Sequence, residues 1–438
     1  MHLIRVFALV VLALTTQILP AQALTLLRDP DIEYALKRLA TPILKAAGLS
    51  PERMSILIID DRNLNAFVVD RDSIFIHSGL LLKMNSPEML QSVIAHEAAH
   101  IANGHLVRRP VNMRNAQTAA GLGVALAAAA GAISGNAQAA AGAAVGMTNT
   151  AQRLFFAHNR AEESSADNSG VGYMVRAGID PVGFVEVIDI FRGQEALSAA
   201  RQDPYARTHP LSADRYRVIK RLTEAHGGKA TTSNDALYWF ARAKGKLSAF
   251  ERAPKWTRAR AGEYGFADVA LMREAVAWHR QSNLAKSIAA MDKAIALRPD
   301  DPYYHELRGQ ILMESRQFAA ATAAYARAVN LDPNNALILG SYGRALIAQE
   351  QVNKALSILE KARARDGRDI RVMRDLAVAY AKTGNNGMAS LVTAERYAMS
   401  GRLEDAGIHA KRASDLLPRG SGGWQRAQDV LSAAKSAK

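Results

Sequence analysis

Ser86-Pro87-Glu88-Met89-Leu90-Gln91-Ser92-Val93-Ile94-Ala95-His96-Glu97-Ala98-Ala99-His100-Ile101 is the stretch on which the rest of the chain turns. Ser86 is an N-cap residue, and Pro87 suits a first helical turn, where a missing N–H costs nothing. Leu90, Val93 and Ile94 supply a buried side. On this helix His96 and His100 stand four apart on one face, a single turn from each other, so both imidazoles reach one ion. Glu97 lies beside the pair and can contact a water instead of the ion. Zinc, as a Lewis acid, lowers the pKa of water towards ~7, and a carboxylate is needed to take the proton. His96 and His100 are the expected metal ligands, Glu97 the expected general base, and one Zn2+ per chain the expected cofactor. The chain has no cysteine, the residue that commonly closes structural zinc sites, so an open catalytic position is expected.

Upstream, Ile32, Leu36, Leu39 and Ile43 give a helical spacing over Asp31 to Lys45, closed by Gly48 and Pro51. Met54 to Ile59, Ala66 to Val69 and Ser73 to His77 are β-branched runs split by turn clusters, and predict three adjacent antiparallel strands. Downstream, Glu163 and Asp167 are again four apart, in Arg160-Ala161-Glu162-Glu163-Ser164-Ser165-Ala166-Asp167. One helix face could place Glu163 on zinc as third ligand and Asp167 behind it, accepting the other ring proton of a ligand histidine.

These motifs, followed by Thr208-His209-Pro210, resemble the HtpX and CAAX-prenyl-protease family of zinc metallopeptidases over Asp31 to about Arg221. Asn65-Ala66-Phe67, the run Ile74 to Leu80 and Arg215 match as well. The resemblance implies zinc ligation by His96, His100 and Glu163, with Glu97 as general base, in a mainly helical zincin-like domain. Ala98-Ala99 stands where Leu-Gly is commoner and Ser165 where glutamate is usual, and neither change removes a ligand. The resemblance also puts His209 at the site, in one of two roles. It donates to the oxyanion of the tetrahedral intermediate, or it binds zinc and shuts the site until substrate displaces it. His105, five residues past His100, is expected off the ligand face, His158 on the surface and His77 in the core.

Between the ligand motifs, Ala119 to Met147 is almost all alanine and glycine. It reads as a lid over the site, a membrane contact or inert packing.

From residue 266 the pattern changes. Ser287, Ala321 and Ala355 recur every 34 residues, as do Met291, Tyr325 and Leu359, and Ala294, Ala328 and Ala362. This is the tetratricopeptide pattern of paired helices, with a further unit at Ala406, Ala410 and Ala413 and an irregular helix pair before it. The fold expected is α+β: a mainly helical peptidase domain with a small antiparallel sheet at 24–225, a helical connector at 226–265, an all-α repeat solenoid at 266–418 and a basic tail at 419–438. A chain ended after about Gly265 is expected to keep its catalytic domain.

Arg5, the apolar run Val6 to Leu14, and Ala21-Gln22-Ala23 read as a signal peptide over 1–23, cleaved near Leu24. Without cysteine there is no lipoprotein anchor and no disulfide, so the periplasm is the expected location. A net charge of +14 suits anionic partners, peripheral membrane contact among them, but no nucleic-acid module is present and no nucleic acid is expected. A repeat array behind such a peptidase resembles the periplasmic members of the family that tend outer-membrane β-barrels. That implies unfolded or misassembled outer-membrane proteins and the barrel-assembly machinery as partners. The alternative is a chaperone-like binding module whose zinc site His209 holds latent.

Overall fold

Two apolar runs, Ile56 to Ile59 and Ile74 to Ile76, are interrupted by no polar residue, as strands buried on both faces require. In the computed structural model, which describes residues 25–108, 160–198, 201–228 and 230–436, they form the two central strands of a sheet. The signal peptide, His158 and the alanine-glycine insert expected from the sequence lie outside the described residues.

The sheet comprises β1 (Leu26–Leu27), β2 (Ser55–Ile59), β3 (Ala66–Val68) and β4 (Ser73–His77), in the order β1-β2-β4-β3. β2 and β4 pair in parallel, from Ser55 opposite Ser73 to Ile59 opposite His77, and β1 and β3 add antiparallel on the two edges. The expected antiparallel meander is therefore corrected to a mixed sheet. The physical reason is burial. β2 and β4 are apolar on both faces and take the middle, whereas the short β3 is covered on one face only and is displaced to an edge.

Helix α1 (Pro30–Ala46) starts where the Asp29 carboxylate accepts from the backbone N–H groups of Asp31 and Ile32, and Gly48 ends it at a positive φ. After α2 (Ser78–Lys83) comes α3 (Pro87–Ala102), with Ser86 Oγ accepting from Met89 N as its cap. Every residue from Pro87 to His100 is buried, so α3 is enclosed on all sides, not only along Leu90, Val93 and Ile94. Small residues allow this: Ala95, Ala98 and Ala99 are completely covered, and a Cβ on Gly183 would lie 2.1 Å from the Glu88 carbonyl oxygen. Around α3 pack a helix over residues 160–176 (α4), α5 (Val182–Ile190), the short α6 (Pro204–Thr208) and α7 (Ala213–His226).

Then follow α8 (Asn234–Glu251), α9 (Pro254–Ala259) and antiparallel helix pairs: α10 (Ala267–His279) with α11 (Leu284–Leu297), α12 (Pro302–Glu314) with α13 (Phe318–Leu331), and α14 (Ala336–Ala348) with α15 (Val352–Arg365). α16 (Ile370–Lys382) packs on the last pair. The 34-residue positions sit on the second helix of each pair and are all buried. Gly309 and Gly343 let the partner helix in, since a Cβ there would meet the Tyr325 ring at 2.7 Å or Leu359 at 2.5 Å. A separate unit holds α17 (Asn386–Met399), α18 (Leu403–Leu416) and α19 (Gly422–Ser436), with Leu391, Ala413 and Ala427 between them. Here Ala406, Ala410 and Ala413 are fully buried.

Buried charge crosses the Gly265 position. Arg242 in α8 has no exposed surface, with Nε 2.7 Å from Asp31 Oδ1, Nη2 2.9 Å from Asp301 Oδ1 and the guanidinium 3.9 Å from the Tyr304 ring centre. Lys246, one turn on, is 2.8 Å from Asp29 Oδ2 and also fully buried. Glu306 accepts from Ser341 Oγ at 3.3 Å, and its other oxygen has no hydrogen-bond partner among the described residues. Burial lifts the Glu306 carboxyl to about 7, with Lys246 opposing and Asp29 and Asp31 adding to the rise. An unfolded glutamate titrates near ~4.3, so between that pH and about 7 the folded chain binds more protons and stability falls as pH rises. The loss should be on the order of 4 kcal/mol by pH 8. Glu306→Gln should remove that slope, which urea melts at pH 5 and pH 8 would read. A variant with the wild-type slope would place the titration elsewhere.

Candidate metal centre

α3 delivers His96 and His100 from the middle of the core, and their Nε2 atoms lie 3.1 Å apart. α4 delivers Glu163 and Asp167 from one face, as their spacing predicts. Glu163 Oε2 is 3.2 Å from His96 Nε2, and Oε1 is 3.4 Å from His100 Nε2. Asp167 stands behind, with Oδ1 3.0 Å from His96 Nδ1. That contact holds the hydrogen of His96 on Nδ1 and turns the Nε2 lone pair to the centre. His209, at the carboxyl end of α6, enters through its other nitrogen: Nδ1 is 2.9 Å from Glu163 Oε2 and 3.2 Å from His96 Nε2. Its Nε2 is 3.4 Å from Glu97 Oε1 and 3.4 Å from the Ala66 carbonyl on β3. All six residues singled out from the sequence meet here, and all are buried.

His96, His100, Glu163 and His209 each offer one donor atom to a group spanning no more than 4.8 Å. Ligands at about 2.0–2.1 Å in a tetrahedron stand about 3.3–3.4 Å apart, and the close contacts within this cluster run from 2.9 to 3.4 Å. Charge fits too. Glu97, Glu163 and Asp167 are buried beside the single guanidinium of Arg215, an excess of negative charge that a divalent cation balances. The donor set therefore suits a divalent metal of borderline softness.

In the metal-free cluster, burial works against a charged His96. Hydrogen bonds to Asp167 and Glu163 and their charges outweigh it, and the imidazole is pushed up to about 10. Burial likewise works against both carboxylates. His209 and His96 nevertheless hold Glu163 well below its usual range, and Arg215 with His96 holds Asp167 down.

Three residues have roles that the spacing alone did not reveal. Arg215 Nε donates to Asp167 Oδ2 at 2.7 Å and Nη2 to Oδ1 at 2.9 Å, while Nη1 donates to the Pro210 carbonyl at 2.7 Å. It ties the His209-Pro210 segment to α4, and its position after His-Pro was the available signal. Tyr205 lays its ring 4.6 Å from the His209 ring. His105 is not turned away: Gly104 takes φ +71° and swings its imidazole back onto His100. It stays off the ligand face, as expected, and contacts His100 on the side away from the donor group. Ser165, the departure from the usual glutamate, accepts from Asn103 Nδ2 at 3.1 Å and so ties α4 to the end of α3. His77 is buried as expected, with Asp61 Oδ2 3.3 Å away.

A helix-borne histidine pair, a carboxylate from a second helix and a buried glutamate beside them define a metallopeptidase. Residues 27–223 match the model of Peptidase family M48, and residues 279–336 and 312–377 match models of the tetratricopeptide repeat. The chain is a metalloendopeptidase, with a Peptidase family M48 domain followed by tetratricopeptide repeats. It is similar to the beta-barrel assembly-enhancing protease of Escherichia coli K12, 23% identical over 409 residues, which cover 90% of this chain and 81% of that one. A Vibrio cholerae protein provisionally given the same name is 25% identical over 427 residues, covering 90% and 82%. The metalloprotease LoiP of Escherichia coli K12 is 29% identical over 200 residues, 45% of this chain and 73% of that one. Among the described residues no helix is long and apolar enough to cross a membrane.

Proposed function

We propose that the protein is a periplasmic zinc endopeptidase, exported by its first 23 residues, that acts on outer-membrane β-barrel proteins during their assembly or failure to assemble. The catalytic block is 24–225, and the repeats from 266 onward contribute client binding. The client class rests on the likeness to beta-barrel assembly-enhancing proteases. The observation that carries the zinc reading is the convergence of His96, His100 and Glu163 within ligand spacing.

Zinc held there would polarise a scissile carbonyl and lower the pKa of water. Glu97 takes the water proton and returns it to the leaving amine, a task open to a buried carboxylate that is not itself a ligand. Asp167 and Arg215 keep His96 in its ligating tautomer. Chelation should abolish cleavage of an unfolded barrel protein, and Zn2+ but not Mg2+ should restore it. Cleavage unaffected by chelation would overturn the proposal.

Of the two roles open to His209, the placement of its Nδ1 among the donors favours the latch. This also supports the second reading, a chaperone-like module that cleaves rarely. His209→Ala should then speed turnover of a short unstructured peptide several-fold. A fall in kcat would instead assign His209 to the oxyanion.

A further inference from the structure

The motif helix stops one turn after His100, and the next residues return to it. Asn103 caps α3, Gly104 takes φ +71°, and a new helical turn begins at His105. His105 is 2% exposed, with Nδ1 2.9 Å from His100 Nδ1 and the two rings inclined at 71°. Two imidazole nitrogens at that distance share one hydrogen, so one donates and the other accepts.

His100 decides the direction. Its Nε2 faces His96 Nε2 at 3.1 Å and Glu163 Oε1 at 3.4 Å, the side on which a metal ligand needs a lone pair. A neutral imidazole with a free Nε2 carries its hydrogen on Nδ1. That hydrogen lies on the line to His105 Nδ1, which accepts it and keeps its own hydrogen on Nε2.

We propose that His105 is the positioning residue of the second motif histidine, fixing the tautomer and ring plane of His100 as Asp167 does for His96. The inference rests on the cluster being a metal centre. The two ligands are supported by opposite chemistries. Asp167 is anionic and clamped by Arg215, whereas His105 is a neutral acceptor. A second carboxylate at His105 would add a buried negative charge to the three already present at the centre, and a neutral acceptor orients His100 without that cost.

The test uses the full-length protein, Zn2+ and a chromophoric chelator, with thermal melts to verify folding. His105→Ala should weaken zinc affinity about 10–100-fold. His105→Asn, whose side-chain oxygen can accept the same hydrogen, should recover most of the loss. In zinc-loaded protein labelled with 15N-histidine, the hydrogen on Nδ1 of His100 should be bonded to Nδ1 of His105 and exchange slowly, and His105→Ala should let it exchange with water.

Wild-type zinc affinity in a folded His105→Ala would overturn the inference, as would a folded His105→Asn no better than alanine. If His105→Ala does not fold, the zinc-loaded wild type decides, and a His105 that carries its own hydrogen on Nδ1 overturns it. A wild-type chain that binds no zinc would sink the metal-centre reading itself, whereas zinc binding indifferent to His105 sinks only this inference.

Discussion

Glu97→Gln should bind zinc and melt as the wild type does, while peptide hydrolysis falls about 10²–10⁴-fold, the range for a lost general base. The side chain is fully buried on α3, and neither oxygen belongs to the group of donor atoms that could hold one ion. Its position is fixed by helical geometry. One residue past His96, its direction diverges by roughly 100° from the His96–His100 face. Its Oε1 nonetheless stays 3.4 Å from His209 Nε2, at the edge of the centre. Glutamine keeps shape and volume and removes only the ability to take a proton. Activity measured beside bound zinc therefore separates the two roles open to this residue. Loss of zinc together with activity would make Glu97 a ligand and return the general base to an unassigned group.

A chain ended after Gly265 should melt about 10 °C or more below the full-length protein, or fail to fold. The repeat spacing suggests a clean division there, but the buried charges do not respect it. Arg242 and Lys246 are wholly covered and lie before Gly265, and Asp301, Tyr304 and Glu306, which complete their surroundings, lie after it. Tyr34 of α1 also packs against Tyr303, with ring centres 5.0 Å apart, and Arg28 is 2.6 Å from Asp366 Oδ2. Removing one partner of a buried ion pair costs about 3–5 kcal/mol, and each kcal/mol moves the melting point of a domain of this size by roughly 2–4 °C. Circular dichroism melts of the 24–265 fragment and of full-length Asp301→Ala would measure the effect. The point variant should share its direction at smaller size. A fragment as stable as the whole chain would show that the α8 charges find water or new partners without loss.

Local chemistry determined the motif helix, its Ser86 cap, the His96–His100 pair and the Glu163–Asp167 pair, because each depends on residues no more than four apart on one helix. The repeat helices were equally open to sequence analysis, since every pair buries the same small positions, Ala321 and Ala355 among them, against its neighbour. Strand order was not. The unbroken apolar character of Ile56 to Ile59 and Ile74 to Ile76 marked both as central, yet whether they pair in parallel depends on where β3 is displaced, and nothing within either run encodes that. Nor could spacing decide the role of His105, whose direction hangs on one positive φ at Gly104. The buried charge network that joins residues on both sides of Gly265 is likewise tertiary. Arg242, Asp31 and Asp301 are far apart in the chain, and each alone is an ordinary surface residue by type. Only packing removes them from water together, and a charge taken out of water must keep its partners wherever the chain has placed them.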